Sequence, residues 1–535
     1  MENFEIVQTE FGPIKGIHKK LVYDNDCITF QSIPYMKPPV GNLRFREAQP
    51  TDKWEEPFDA TGEILAFPSY YEGLGNLGQE DAGILNIFTK NLKPEKPTPV
   101  MVWIHGGGFF VGSSKTDTYG PDYFMQEDII FVSFNYRLGV LGFLSLEDES
   151  LGVPGNNGLK DQIFALKWIK RNIANFGGDP NNITIFGESA GGASVHMLSI
   201  SEQSKGLYQR AIAMSGTSLC QTWGLIPQST CRKHAERLAE KLGWTGQSGD
   251  QKSLLDFLEK PSADEIVKVT NDLLTPEEKL KYGFYSPFTP VVEPYITENC
   301  LIPEDPIKMM ETCWTNDIDI LFTGNSLEGV LRNEGHLDLG VEIFNNPAYA
   351  LPLLELQLDP SDQRANELGL KIKNLYFNDQ MDPKESFIRH GSELMFWVAI
   401  YRAIQSRIKH AKGKSYLVRF DAEGGRNFVK QFFKCNQYKG AGHGDELGFI
   451  FTSVMYPPLE RDSVDYKIMS NYVSILTSFA ITGSPNSDEI KPLTLVELND
   501  PDNIKCLQIT ESSLRVIELP EEENLKVWST IYEDN

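Results

Sequence analysis

The stretch Gly187-Glu188-Ser189-Ala190-Gly191 decides the fold. Residues 182–186 before it read as a short apolar strand, and residues 193–199 after it read as helix. A strand therefore passes into a helix through a serine flanked by glycines, a sharp turn that lifts the hydroxyl clear of the backbone. Upstream, the run Pro99-Val100-Met101-Val102-Trp103-Ile104 ends at His105-Gly106-Gly107-Gly108-Phe109. Glycines at a strand end leave backbone N–H groups open to a developing oxyanion. Each motif alone is modest. Together, in this order and each at a strand end, they point to acyl transfer through Ser189.

Working outward, residues 5–7, 12–17 and 28–30 cluster or alternate apolar side chains, as strands do. Residues 99–104 and 128–134 are nearly continuous apolar runs, the pattern of strands covered on both faces. From Gly158 the period changes: Leu159, Ile163, Leu166, Ile169 and Ile173 fall at helical spacing until Phe176-Gly177-Gly178-Asp179-Pro180. Residues 211–214, 318–323 and 415–420 are further strands. This alternation predicts an α/β fold with a mostly parallel, doubly wound central sheet and helices on both faces. Residues 220–315 and 340–410 are more polar and helical, with no Pro/Gly/Ser linker to isolate them. They read as insertions on one sheet, lying over the site.

Composition narrows the function classes. The 535 residues are 41% hydrophobic and 23% charged, with a net charge of −24. Nucleic-acid binding needs clustered Lys and Arg to neutralise phosphates, so no such partner is expected. The same charge gives no reason to expect docking on an anionic membrane, and it fits a well-solvated surface. No stretch approaches the ~20 apolar residues of a membrane span. Met1-Glu2-Asn3-Phe4-Glu5 places acids where an export segment would carry basic residues. Seven cysteines, at 27, 220, 231, 300, 313, 435 and 506, are few, scattered and odd in number, unlike a disulfide framework. A reduced, cytoplasmic compartment is expected.

A serine hydroxyl needs a base, and the base needs an orienting acid. A serine displayed in this way is followed along the chain first by the acid and then by the histidine, each after a strand. The strand at 318–323 ends in Gly324-Asn325-Ser326-Leu327-Glu328-Gly329, and Glu328 is the first carboxylate beyond it. By itself it would be an ordinary loop glutamate. Of eight histidines, His105 belongs to the glycine motif, while His18, His234 and His410 sit beside lysine in surface-like contexts. His196 lies in the helix after the turn, and His336 and His390 are isolated in polar segments. His443 alone stands in a glycine-rich loop, Gly440-Ala441-Gly442-His443-Gly444-Asp445-Glu446, and it completes the order Ser189, Glu328, His443.

Many further segments carry a resemblance. They include Phe30-Gln31-Ser32-Ile33-Pro34-Tyr35, Pro38-Pro39-Val40-Gly41, Asn135-Tyr136-Arg137-Leu138-Gly139, Pro154-Gly155-Asn156 and Met214-Ser215-Gly216. With the two motifs, Glu328-Gly329 and the His443 loop, the chain resembles the type-B carboxylesterases of the α/β-hydrolase superfamily, above all the intracellular insect alpha-esterases. The resemblance runs nearly end to end and implies a single catalytic domain over 1–535, where length alone would suggest roughly two to four. Carried over by position, the nucleophile falls on Ser189, the acid on Glu328 and the base on His443. The oxyanion donors fall on the N–H groups of Gly107, Gly108 and Ala190.

The resemblance implies hydrolysis of a small apolar carboxylic ester, in xenobiotic or lipid-ester metabolism, with no metal and no cofactor. Phe109, Phe110, Trp223, Phe288 and Phe449 lie near segments that line the pocket in similar enzymes, though each aromatic could equally be core. Glu188 either favours a charged His443 or is a satisfied loop acid. Secreted relatives carry a disulfide cysteine in a Glu-Asp-Cys segment. Here the matching stretch is Gln79-Glu80-Asp81-Ala82-Gly83, without cysteine. Glutamine is usual at the Glu188 position of juvenile-hormone esterases, which counts against that specialised role. Two alternatives keep the same fold: a slow-turnover scavenger of esters or organophosphates, and a non-catalytic adhesion protein. Oligomeric state is not legible in the sequence.

Overall fold

In the computed structural model the described residues are 3–62, 65–71, 74–220, 223–282, 286–333, 337–377, 381–488, 490–491 and 493–533. Among them, thirteen strands form one sheet. Its first six path strands in chain order are β1 (Phe4–Gln8), β2 (Pro13–Lys20), β3 (Asp26–Pro34), β4 (Ile84–Thr89), β5 (Thr98–Ile104) and β6 (Ile130–Phe134). Six more follow: β7 (Gly178–Glu188), β8 (Arg210–Met214), β9 (Asp319–Asn325), β10 (Ser415–Phe420), β11 (Lys505–Ile509) and β12 (Leu514–Glu518). The short strand Phe58–Asp59 pairs with β2 off this path.

Strand order is β1-β2-β3-β4-β6-β5-β7-β8-β9-β10-β11-β12. From β6 through β11 every neighbouring pair is parallel, and the outer pairs are antiparallel. The predicted mostly parallel sheet is therefore present. The chain leaves β5 toward β6 on one side and leaves β7 toward β8 on the other. Loops diverging in this way open a crevice at the carboxyl ends of the strands, where α/β sheets bind ligands. The register brings the motifs level there: Gly187 pairs with Ile104, Glu188 with Met214, and Met214 with Thr323.

The continuous apolar runs arise because both sheet faces are covered. Val100, Val102, Ile104, Ile183, Ile185, Ala211 and Ala213 enter one buried cluster. Met101, Trp103, Phe186, Ile212 and Met214 enter the other. Alternate side chains of one strand feed opposite layers, as the two-residue period requires. Trp103 is fully buried and sits 4.9 Å from Phe186 and 4.7 Å from Phe451.

The helix expected from Leu159 onward is α1 (Asn157–Asn172), and a tight turn over Ile173–Phe176 ends at Gly177 with φ of 87°. The following strand is longer than its apolar stretch: β7 already includes Asp179 and Pro180. Its pairing with β5 shifts register between Gly178 and Ile183, and such an irregularity tolerates a proline in a strand.

The two polar stretches are helical, as expected. Between β8 and β9 lie Gln228–Lys241, Gln251–Leu258, Ala263–Asn271, Pro276–Tyr282 and Pro306–Thr312. Ser262 and Glu265 form a reciprocal capping box that starts the third of these. Between β9 and β10 lie Gln363–Tyr376, Pro383–Ser392 and Val398–His410, among others. Among the described residues no helix is long and apolar enough to cross a membrane.

Candidate active site

Ser189 joins β7 to α2 (Ala190–Ile200) with φ 59° and ψ −121°. These are the angles of the first central residue of a type II′ turn, a place normally held by glycine. The turn is fixed from both sides. Ser189 N–H donates to Met214 O at 2.9 Å, and its carbonyl accepts from Ala193 N–H at 2.8 Å. The flanking glycines let α2 ride directly on the sheet. A Cβ on Gly191 would stand 2.0 Å from Ile104 O, and one on Gly192 2.2 Å from Met214 O.

The glycine run after β5 folds back on itself: Phe110 and Val111 N–H both donate to Gly107 O, at 3.1 and 3.0 Å. Gly107 has φ of 107° and Gly108 of 58°. A Cβ on Gly107 would lie 2.1 Å from Val111 O. His105 is buried and stacks on Tyr136, ring centroids 4.4 Å apart, while the Tyr136 hydroxyl donates to His105 O at 2.9 Å. Burial pulls the His105 ring down to about 4, so it is neutral at pH 7 and braces the loop without adding charge. The N–H groups of Gly107, Gly108 and Ala190 donate to no acceptor among the described residues. They are the three amides expected to meet an oxyanion.

Glu328 opens the turn after β9 and is fully buried. Its Oε1 accepts from Ser215 Oγ–H and from Asn325 N–H, both at 2.6 Å. Its Oε2 stands 2.6 Å from His443 Nδ1. Four groups thus meet from the ends of three strands. The loop that carries His443 is laced to the acid's loop by Leu327 N–H to Ala441 O (2.8 Å), Ala441 N–H to Ser326 Oγ (2.9 Å) and Asn325 Nδ2 to Gly442 O (2.7 Å). Asp445 ties its far side, accepting from Gly442 N–H at 2.6 Å and Val429 N–H at 2.8 Å.

The other ring nitrogen, His443 Nε2, lies 3.1 Å from Glu188 Oε1. Ser189 and His443 line the same cavity, and no hydrogen bond joins the hydroxyl to the imidazole in this arrangement. Such bonds commonly tighten only around substrate. Three buried glutamates surround this one imidazole. Burial, then the charge of Glu328, drives Glu188 well above the usual carboxylate range. Glu446 rises through burial, then through Glu188 and Glu328. Like charges in a dry site oppose one another, so both carboxyls resist ionising. The hydrogen-bond donors converge on Glu328.

The cavity measures about 360 Å³. Gly107, Gly108, Ser189 and His443 face it, and Phe110, Val111, Trp223, Leu331, Met395 and Phe396 supply apolar wall. Of the expected pocket aromatics, Trp223 and Phe110 line it. Phe109, Phe288 and Phe449 do not, and that expectation is corrected. At φ of 66° the Phe109 side chain turns inward to within 5.2 Å of Phe143, leaving its successor to face the cavity. Phe288 is buried beside His234, and Phe449 packs on Phe420.

Several residues escaped the sequence reading. Ser215 was visible only as part of Met214-Ser215-Gly216, although its place at the end of β8, level with Ser189, was a usable clue. Asn325, Glu446 and Phe396 carried no local signal. Phe396 lies on a π-turn, Glu393–Trp397, and its ring centroid is 4.4 Å from that of His443. Among the other histidines, His234 is buried rather than surface-like, His390 is buried although its segment is polar, and His196 is buried against Ser218. His336 lies outside the described residues.

Known proteins share this arrangement of elements. The carboxylesterase family model matches residues 3–528. Esterase B1 of Culex pipiens is 36% identical over 98% of both chains. Para-nitrobenzyl esterase of Bacillus subtilis is 31% identical over 91% of both. The crystal structure of juvenile hormone esterase from Manduca sexta, with OTFP covalently attached, superposes with a TM-score of 0.86. That pair is 28% identical, over 99% of this chain and 100% of the other. The fold is that of the α/β-hydrolases. The chain therefore belongs to the carboxylesterase family and is a carboxylic ester hydrolase.

Proposed function

We propose that the enzyme hydrolyses apolar carboxylic esters through an acyl-enzyme on Ser189, with His443 as base and Glu328 as its orienting acid. The observation that carries this reading is the 2.6 Å contact between Glu328 Oε2 and His443 Nδ1, made beside Ser189 and three unpartnered amides. His443 takes the serine proton as the hydroxyl attacks the carbonyl carbon, and the oxyanion settles on the amides of Gly107, Gly108 and Ala190. The alcohol leaves with the proton. Water, activated by the same imidazole, then attacks the acyl carbon and releases the acid. Glu328 holds the tautomer with Nδ1 protonated and offsets the imidazolium charge. Each amide that reaches the oxyanion is worth roughly 10²–10³ in turnover. Neither step calls for a metal or cofactor.

Glu188, beside Nε2, favours the charged imidazole in our reading by offering it an acceptor oxygen. The apolar wall supports an apolar acyl or alcohol group, which suits xenobiotic or lipid esters. One catalytic domain spanning 1–535 agrees with a family match over almost the whole length. All seven cysteines are buried and none is joined in a disulfide among the described residues, which supports a reducing, cytoplasmic setting.

Hydrolysis of a short-chain 4-nitrophenyl ester is the test. Turnover is expected in the native protein and lost in Ser189→Ala, and paraoxon treatment should add its phosphoryl mass to the Ser189 peptide alone. Undiminished turnover in Ser189→Ala would overturn the reading. A rapid burst of one alcohol per chain with a very slow second phase would assign sequestration instead.

A further inference from the structure

The π-turn Glu393–Trp397 lies between two helices, Pro383–Ser392 and Val398–His410. Its wider winding changes where successive side chains point, and such turns recur at functional sites. Met395 and Phe396 face the cavity, whereas Trp397 turns back and donates from Nε1 to Asn325 O at 2.9 Å. Phe396 is 1% exposed, and its ring packs on the His443 imidazole, 4.4 Å between centroids and tilted by 32°.

The ring is held there from behind. Trp223 packs 5.5 Å from Phe396, and its Nε1 donates to Met395 O at 3.0 Å. At the start of the turn, Glu393 is bound by the Tyr376 hydroxyl at 2.5 Å and by Asn524 Nδ2 at 3.0 Å. The turn is thus anchored to the acid's loop by Trp397, to the cavity wall by Trp223 and to the core by Glu393.

We propose that Phe396 is a positioning residue for His443, stabilising the imidazolium through its ring face and holding the imidazole plane between Glu328 and Ser189. This proposal rests on His443 being the base. A cation within ~6 Å of an aromatic face gains about 0.5–1 kcal/mol where water has some access, and more where it is excluded. The groups facing the imidazole are Glu328 at Nδ1, Glu188 at Nε2, Ser189 across the cavity and Glu446 behind the loop. None of these is a cation, so the ring works with the carboxylates rather than against a competing charge.

The test is the pH profile of kcat and kcat/KM on a 4-nitrophenyl ester. In Phe396→Leu the imidazolium loses support, so the acid limb of kcat/KM should move down by about 0.4–0.7 pH unit, at ~1.36 kcal/mol per unit. The plateau of kcat should fall several-fold with KM little changed, and Phe396→Tyr should restore both. Should Phe396→Leu fail to fold, 3,4,5-trifluorophenylalanine at 396 keeps the shape but drains the ring face, and it should move the limb in the same direction. An acid limb unmoved in either variant while Ser189→Ala is still inactive would sink the positioning role and leave the proposed chemistry standing. A native profile with no acid limb between pH 4 and 8 would remove the base assignment and this proposal with it.

Discussion

The backbone at the nucleophile is where strain is written into the enzyme, and replacing Ser189 by glycine and by alanine measures it. Both substitutions delete the hydroxyl and both should end turnover. They differ in how they tolerate φ 59° and ψ −121°. A residue with a Cβ held in such a region costs about 1–3 kcal/mol. Glycine avoids that cost but brings about 0.5–1 kcal/mol of extra chain entropy to be lost on folding. The difference favours glycine by about 1 kcal/mol. The urea midpoint of Ser189→Gly should therefore lie above that of Ser189→Ala, by the stability difference divided by the urea slope measured for this chain.

Ser194 provides the opposite sign. It lies inside α2 and bonds Gln162 through its hydroxyl, so glycine there should be about 1 kcal/mol worse than alanine. A Ser189→Gly protein no more stable than Ser189→Ala, with the Ser194 pair behaving as stated, would refute the argument that the elbow is strained.

Two further outcomes test the surroundings of the site. Ser215→Ala removes one of two donors from the buried Glu328 Oε1, a charge-assisted bond worth about 1.5–3 kcal/mol. Stability should fall by about that amount in chemical denaturation, and kcat should drop more than KM changes; an unchanged midpoint and kcat would show the bond to be idle. Glu393 is pushed up from 4.5 to about 8, by burial first. A raised folded value means its contribution is complete below pH 4.5 and is lost as pH rises through 8. Glu393→Gln stays neutral, with the Asn524 amide free to turn over and accept. Its midpoint should therefore gain on the native protein between pH 5 and 8, and a difference independent of pH would contradict the assignment.

Most of the sheet was legible because its strands are buried on both faces, and continuous apolar runs such as 99–104 leave little room for another reading. The triad order was legible for a related reason: Ser189 and Glu328 stand just beyond the ends of parallel strands that lie level, and His443 follows in a glycine-rich loop downstream of β10. What the sequence hid depends on side-chain direction or on winding. Phe109 and Phe110 are equally aromatic neighbours, yet one turns into the core and the other into the cavity. Their backbone angles decide this, and no residue type announced it. Phe396 was hidden because a π-turn has no spacing rule that separates it from the helices on either side. His234 was misplaced because the flanking Lys233 suggested a surface, whereas the ring is buried and bonds Pro287 O.

Consider finally the parallel bridge between Leu327 and Gly442. It joins the acid's loop to the base's loop through main chain, beside the side-chain bonds of Ser326 and Asn325. The chain between them supplies cavity wall through Met395 and Phe396. Substitutions at Met395 can reshape which esters fit while acid and base stay in register. One clasp of main chain thus keeps acid and base together while the chain between them builds the wall that a substrate meets.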